Sequence, residues 1–437
     1  MLSDRTQGDS PHLPDVVPGA LPLVGHGLRF ARNRLALLEE AARRGPGAVL
    51  RVPDPVIVLT EPEDVQHVLV RDPAGYSKGP KLASERGARI FGAGLLTRHG
   101  AEHRRLRLLI QPAFHALAVE RLQLVLRLAV MARLDAWRDG TVAVHDDLMA
   151  AARLAIQRVL FGELADAAAV DEAIAARRAF AQRWFSSVNP RPEWAPSAVN
   201  RQFRRLEPWL TRRVGELVDE RLERPGAFDD LLALLTESRD RDGDRLTRAE
   251  LVTEALSLTI PGHETTGEAL AWTLDLLARN PHEQERARAA ARAGDRAALE
   301  RVADESLRLY PPTWITVRVA VAADTLPSGI TVSAKQRLYV APWLLHHDPR
   351  WWPKPERFVP DRFLGGAEAE RPRRSFLPFG AGPRVCIGER LARAEIVEGL
   401  SLVLGRWRLT PAGPPPTPDP GLTLSPSGGV PLTLEAL

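Results

Sequence analysis

The sequence predicts a mainly α-helical fold with small peripheral β-sheets. From Glu63 to about Leu307 most segments carry apolar residues at helical spacing. After Tyr310 the texture changes: Pro311-Pro312 stops a helix, and short β-like runs punctuated by turn residues follow. No Ser/Gly linker, low-complexity segment or repeat interrupts the 437 residues. A single domain over 1–437 is therefore expected, with the polar, proline-punctuated residues 1–22 as an N-terminal arm.

The elements follow in order. Leu35–Arg44 reads as a short amphipathic helix. Val49–Val52 and Val56–Thr60 read as a hairpin with Pro53 and Pro55 in its turn. The longest helix is expected from Thr247 to Asn280, because Thr247 with Glu250 makes a capping box and Asn280-Pro281 marks an end. At about 1.5 Å per residue it would cross the whole domain. Val317–Ala322, Thr331–Val332 and Arg337–Val340 look like short strands, Ile387–Glu398 like a helix, and Leu422–Leu434 like a last hairpin.

Composition excludes several classes. A formal charge of +4 is small for this length and gives no reason to expect nucleic acid. No apolar run approaches the roughly 18 residues that suggest a transmembrane helix, and no signal-peptide pattern opens the chain, so neither a membrane anchor nor secretion is expected. The single cysteine, Cys386, excludes an internal disulfide and fits a reducing, cytoplasmic compartment.

Cys386 sits in Phe379-Gly380-Ala381-Gly382-Pro383-Arg384-Val385-Cys386-Ile387-Gly388. A lone cysteine is commonly a small buried hydrophobe. Here glycines let backbone approach closely and turn N–H groups toward a sulfur. The helix expected to follow would place the sulfur near a positive N-terminus, which favours a metal-binding or nucleophilic thiolate.

A second constellation is Thr259-Ile260-Pro261-Gly262-His263-Glu264-Thr265-Thr266. Inside a helix, the proline and glycine together cost about 3–4 kcal/mol relative to alanines. A kink in a buried helix is one reading. The acid and hydroxyls just after the break favour another, in which the opened helix leaves room for a ligand or water. His263-Glu264 also suggests a zinc protease, but that motif needs a second histidine four residues on, and Gly267 stands there. Two further pairs share helix faces: Glu305 with Arg308, and His103 with Arg107. Taken alone, Glu305–Arg308 is an exposed ion pair worth a few tenths of a kcal/mol. Arg104 and Arg105 read as a solvated basic face.

Phe-x-x-Gly-x-Arg-x-Cys-x-Gly is the haem-binding signature of the cytochromes P-450, met at every fixed position by Phe379, Gly382, Arg384, Cys386 and Gly388. The chain resembles that family from about Gly19 to Leu434, with four motifs in family order. The resemblance implies the cytochrome P-450 fold of a soluble bacterial type, with haem b (iron protoporphyrin IX) between a long distal helix and a proximal Cys386 loop. Cys386 would be the axial thiolate. His103, Arg107 and Arg318 would meet the haem propionates, and Gly262, Phe379, Arg384 and Gly388 would complete the cofactor's surroundings. Gly262, Glu264, Thr265 and Thr266 match the family's distal pattern, in which Thr265 hydrogen-bonds oxygen and Glu264 passes protons from bulk water. Pro261 departs from it, since a small residue normally stands there. Glu305 and Arg308, completed by Arg357 of Pro355-Glu356-Arg357-Phe358, would form a buried structural network.

The implied activity is O2- and NAD(P)H-dependent hydroxylation of a C–H bond in a hydrophobic small molecule. Electrons would come from an external ferredoxin and its reductase, because no flavin or ferredoxin segment is fused to the chain. Arg371, Arg373 and Arg374 would steer an acidic partner. Leu258, Pro261, Trp314, Ile315 and Leu422 would line the substrate pocket. The substrate-contact regions contain no charge, and short likenesses to carotenoid and sesquiterpene oxidases favour a terpenoid or carotenoid. Alternatives are a fatty-acid hydroxylase, a peroxide-driven peroxygenase, and a non-catalytic haem-thiolate sensor. The acid–alcohol pair argues against the last two.

Overall fold

A computed structural model describes residues 15–52, 54–186, 194–365 and 371–437. The chain divides into two compact units: residues 1–79, 315–355 and 371–385, and residues 80–314, 356–370 and 386–437. Pro53 and most of the expected arm lie outside the described residues. The described end of that arm is more than an arm. The Val17 N–H donates to the Val49 carbonyl at 3.0 Å and Val17 is fully buried.

The first unit is built on a five-stranded sheet in the order Val49–Val52, Asp54–Leu59, Arg337–Val340, Thr316–Ala320, Tyr76–Lys78. The expected hairpin is present, but Pro55 lies within its second strand opposite Arg51 rather than in the turn. Val58, Leu59, Leu338 and Val340, on two neighbouring strands of this sheet, are fully buried. Three expected strands occur as Thr316–Ala320, Thr331–Val332 and Arg337–Val340. Tyr76–Lys78 and Asp324–Thr325 escaped sequence reasoning because each is too short to carry a period.

The second unit is helical. The expected helix from Thr247 to Asn280 is two helices, Arg248–Thr259 and Pro261–Arg279, hinged on Ile260, which keeps helical dihedrals of −75° and −59°. The capping box at Thr247 and Glu250 is present, and the second helix stops at Asn280 as expected. Pro261 therefore stands at the first position of a new helix, where its missing N–H is not needed, and the interior-proline cost does not apply.

Side chains recover the carbonyls near the hinge. Thr259 Oγ1 donates to the Leu256 carbonyl (2.7 Å), His263 Nδ1 meets the Thr259 carbonyl (2.6 Å), and Thr265 Oγ1 donates to the Pro261 carbonyl (3.1 Å). Glycine lets the second helix lie against Val144–Phe161: a Cβ on Gly262 would stand 2.6 Å from Ile156 Cγ1.

The last hairpin occurs one step earlier than expected, as Thr417–Pro420 paired with Leu424–Ser427. Pro431–Ala436 pairs instead with Trp407–Pro411 and with Gly140–Ala143.

Candidate functional site

In the second unit, Gly388 caps the helix Glu389–Leu404 and its N–H donates to the Cys386 sulfur. Cys386 is exposed, yet protein crowds it closely enough that desolvation pushes its thiol up. The Gly388 N–H and Arg107 oppose that rise, while Glu389 adds to it. Burial in turn holds Arg107 below the usual guanidinium range, with the nearby Cys386 opposing it. His103 is buried on the same helix, Gly100–Ile110. Arg105 is not merely solvated: its Nη1 donates to Glu250 Oε1 at 2.6 Å.

In the first unit, Phe379 and Arg384 flank a turn that only glycine can make. Gly382 has φ +69°, and a Cβ there would stand 1.9 Å from the Leu69 carbonyl oxygen. Arg318 is buried, and burial with the nearby Arg384 lowers its pKa to about 10. Across the strand pair Lys78 opposes Arg318, and desolvation, then Arg384 and Arg318, hold its amine well below the usual range. Among the described residues neither Lys78 nor Arg318 has a carboxylate within ion-pair distance. Lys78 and Arg318, each pressed by the charge of Arg384, make a setting that suits an anion. Sequence reasoning missed Lys78, whose lysine-in-a-strand setting gives no local signal.

Each unit thus carries groups of the kind a haem needs. One has a thiol with a donated N–H and a neighbouring arginine; the other has converging cations suited to propionates. Gly262, expected beside the cofactor, is required for room against Ile156.

Glu264 is almost fully buried and held by three donors. Arg178 Nη2 donates to Oε1 at 2.9 Å, Arg178 Nε donates to Oε2, and Thr423 Oγ1 donates to Oε1 at 3.1 Å. Thr265, the next residue, is only part-buried. His263 is fully buried, and desolvation lowers its imidazole to about 4, so it is uncharged at neutral pH.

The structural network differs from expectation in one member. Arg308 Nε donates to Glu305 Oε2 at 2.7 Å, both side chains fully buried, but Arg357 is exposed and offers only its carbonyl to Arg308 (3.2 Å). The second arginine on Glu305 is Arg362, at 3.2 Å. The chain has two similar stretches, Pro355-Glu356-Arg357-Phe358 and Pro360-Asp361-Arg362-Phe363. The short 3-10 turn Pro360–Phe363 aims the second one inward.

Among the expected pocket residues, Leu258 is partly buried and packs against the helical cluster that contains Leu251, Leu256 and Ile156. Ile260, two residues on, belongs instead to a cluster with Ile90, Phe91, Phe180, Trp184 and Phe203, against which Leu422 packs. Trp314 is buried with its indole N–H on the Gly421 carbonyl (3.2 Å); Pro261 and, in the first unit, Ile315 are half-buried. Of the three arginines before the Cys386 loop, Arg371 stacks on Trp352 and Arg374 donates to Gln66, while Arg373 is exposed.

Glu395, nine residues after Cys386, is an orphan: it is fully buried and its Oε1 has no hydrogen-bond partner among the described residues. Burial pushes its carboxyl up to about 8. The unfolded chain releases that proton near the ordinary value of 4.5 and the folded chain holds it to about 8, so stability falls as pH rises through that window. Glu254, raised to about 7 by burial, adds to the lower part of the slope. The Glu395→Met variant should gain on wild type by on the order of 4 kcal/mol between pH 5 and pH 8.5. Thermal melts across that range check this; parallel curves for the two proteins refute it.

The cytochrome P450 family model matches residues 16–432, so the chain belongs to the cytochrome P450 family. It is a haem-thiolate oxidoreductase and a monooxygenase. The chain is 32% identical over 434 residues to cyclooctatin synthase of Streptomyces melanosporofaciens, covering 94% of this chain and 93% of that one. It is also 32% identical to cyclooctat-9-en-7-ol 5-monooxygenase of the same organism (95% and 92% covered), and 30% identical to pentalenene oxygenase of Streptomyces avermitilis (90% and 90%). Its fold matches retinoic acid-bound cyanobacterial CYP120A1 with a TM-score of 0.84 at 22% identity, covering 98% of this chain and 100% of that one. No helix among the described residues is long and apolar enough to cross a membrane.

Proposed function

We propose that this protein hydroxylates a C–H bond of a cyclic terpenoid, using O2 and electrons passed from NAD(P)H through an external ferredoxin reductase and ferredoxin. The observation that carries the substrate class is agreement between two independent features. Relatives of similar length are named for cyclooctatin and pentalenene chemistry. In this chain, the residues around the helix hinge form a cluster of large apolar side chains: Phe91, Phe180, Trp184, Phe203 and Ile260, joined by Leu422. Apolar aromatic surroundings at the hinge favour a hydrocarbon held by shape rather than by charge.

In this reading Cys386 holds the iron of haem b. Each unit supplies cations of the kind the haem propionates would need, Arg107 and His103 in one and Arg318 and Arg384 in the other. When bound, the haem supplies oxygen activation and electron transfer. Thr265 presents a hydroxyl beside the hinge, and Glu264, one residue earlier, holds and passes the protons the reaction consumes. Arg178 and Thr423 keep that carboxylate in place. Exposed Arg373 offers a positive point to an acidic ferredoxin. The match to residues 16–432 supports treating both units as parts of one family domain.

The test is a binding titration of the ferric protein with pentalenene, a carotenoid and a long-chain fatty acid, followed by turnover with NADPH and a surrogate ferredoxin pair. We expect the high-spin Soret shift, and product, with the sesquiterpene. A shift with the fatty acid alone overturns the terpenoid assignment.

A further inference from the structure

A line of groups with alternating charge leads away from Glu264, and the reaction as described above leaves its far half without a role. One helical turn beyond Glu264, on the same face of Pro261–Arg279, stands a second carboxylate, Glu268, with no exposed surface. Glu268 Oε1 accepts from Ser425 Oγ at 2.7 Å, and Oε2 lies 3.0 Å from His145 Nε2. His145 is slightly exposed and, with Ser425, lines a surface depression that also contains Asp146 and Asp419. The other ring nitrogen of His145 lies 3.7 Å from Asp146, which is almost fully exposed. Arg178 is bound to Glu264 and also feels the charges of Glu268 and Asp146. The order from the distal acid to solvent is therefore Glu264, Arg178, Glu268, His145, Asp146, negative and positive in turn when His145 is protonated.

We propose that Glu268 and His145 are positioning residues for proton delivery: the charge on His145 sets how strongly Glu268 competes with Glu264 for Arg178. This rests on the reading of Glu264 as the proton-passing acid. With His145 protonated, Glu268 is already neutralised and Arg178 stays bidentate on Glu264, which keeps that carboxylate from moving. Once His145 loses its proton, Glu268 is an unpaired buried anion one turn away, and Arg178 is drawn toward it. Glu264 is then held by Thr423 alone and can turn toward Thr265.

The groups facing His145 from each packed element are Glu268 on the distal helix, Arg178 on the helix Ala167–Ser186, Asp146 on its own helix, and Ser425 with Asp419 on the hairpin. Burial pulls the imidazole down, but the hydrogen bond and charge of Glu268, with help from Asp146, outweigh burial and Arg178. The net direction is upward, which brings the change of charge toward neutral pH.

The experiment has two arms. The first needs no turnover. The His145 ring is titrated by NMR in the diamagnetic ferrous carbonyl form of the 15N-histidine-labelled holoenzyme. Its midpoint should lie above that of a free histidine and fall in Glu268→Gln. The second arm measures the ratio of product to peroxide per NADPH against pH, with pentalenene as probe, or the best binder of the titration above. In wild type the product share should rise through the His145 midpoint. In His145→Gln it should stay at the high-pH level throughout. In Glu268→Gln it should stay low, about three- to tenfold below wild type at high pH.

A pH profile that keeps its wild-type shape in both variants overturns the proposal, even if either variant is less stable. Glu264→Gln separates the two readings. If it abolishes coupling while His145→Gln and Glu268→Gln do nothing, the acid stands and the proposal falls. If coupling survives Glu264→Gln, the acid assignment itself falls and the proposal with it.

Discussion

Replacing Cys386 by serine abolishes the red-shifted Soret band of the reduced carbonyl complex. The band requires a thiolate on the iron, and Cys386 is the only sulfur of that kind in the chain. The protein around it resists a free anion, because desolvation pushes the thiol up. A metal reverses this, since binding releases the thiol proton and supplies the charge that burial withholds. The Gly388 N–H then has a negative sulfur to donate to, and Arg107 a negative neighbour. Serine keeps the backbone geometry but offers a harder, more basic oxygen. We expect complete loss of the band, with haem retained weakly or not at all. A histidine-like carbonyl spectrum in freshly folded wild type would contradict the assignment of Cys386.

Thr265→Ala keeps haem and substrate binding but sends reducing equivalents to peroxide, lowering the product formed per NADPH by about a hundredfold, the lower end of what a positioned proton carrier contributes. The Thr265 hydroxyl donates its one hydrogen to the Pro261 carbonyl and keeps its lone pairs free to accept a hydrogen bond from a water or ligand beside the hinge. Alanine removes that atom and little else, because the helix is already set by its proline start. Thr265→Ser should restore most of the coupling, since it returns the hydroxyl without the methyl group. The stoichiometry of NADPH consumed, peroxide released and product formed checks the prediction, and wild-type coupling in the alanine variant refutes it.

What could be read directly from the chain was local. The Cys386 loop is recognisable because its chemistry is packed into ten consecutive residues. The capping box is recognisable because its two partners are three apart. Groups whose partners lie far along the chain gave no such sign. Arg178 meets Glu264 across 86 residues and Ser425 meets Glu268 across 157, and nothing near either arginine or serine marks it. Gly140–Ala143 is a strand only because Pro431–Ala436 lies beside it. The choice between Arg357 and Arg362 depended on which of two near-identical stretches turns inward, a matter of tertiary packing. The hinge was misjudged for another reason: a proline is costly within a helix and favourable at its start, and the sequence did not say that a second helix began there.

The helix Ala167–Ser186 has one face with two grips. Arg178 holds Glu264, and Gln182, one turn later, accepts the Leu422 N–H at 3.0 Å and lies against Gly421. The hairpin so gripped contributes Thr423, which also holds Glu264. Helix, hairpin and acid close a mechanical loop of three members, each tied to the other two. Any shift of the helix therefore changes the restraints on the acid and on the hairpin together, so these three members move as a set.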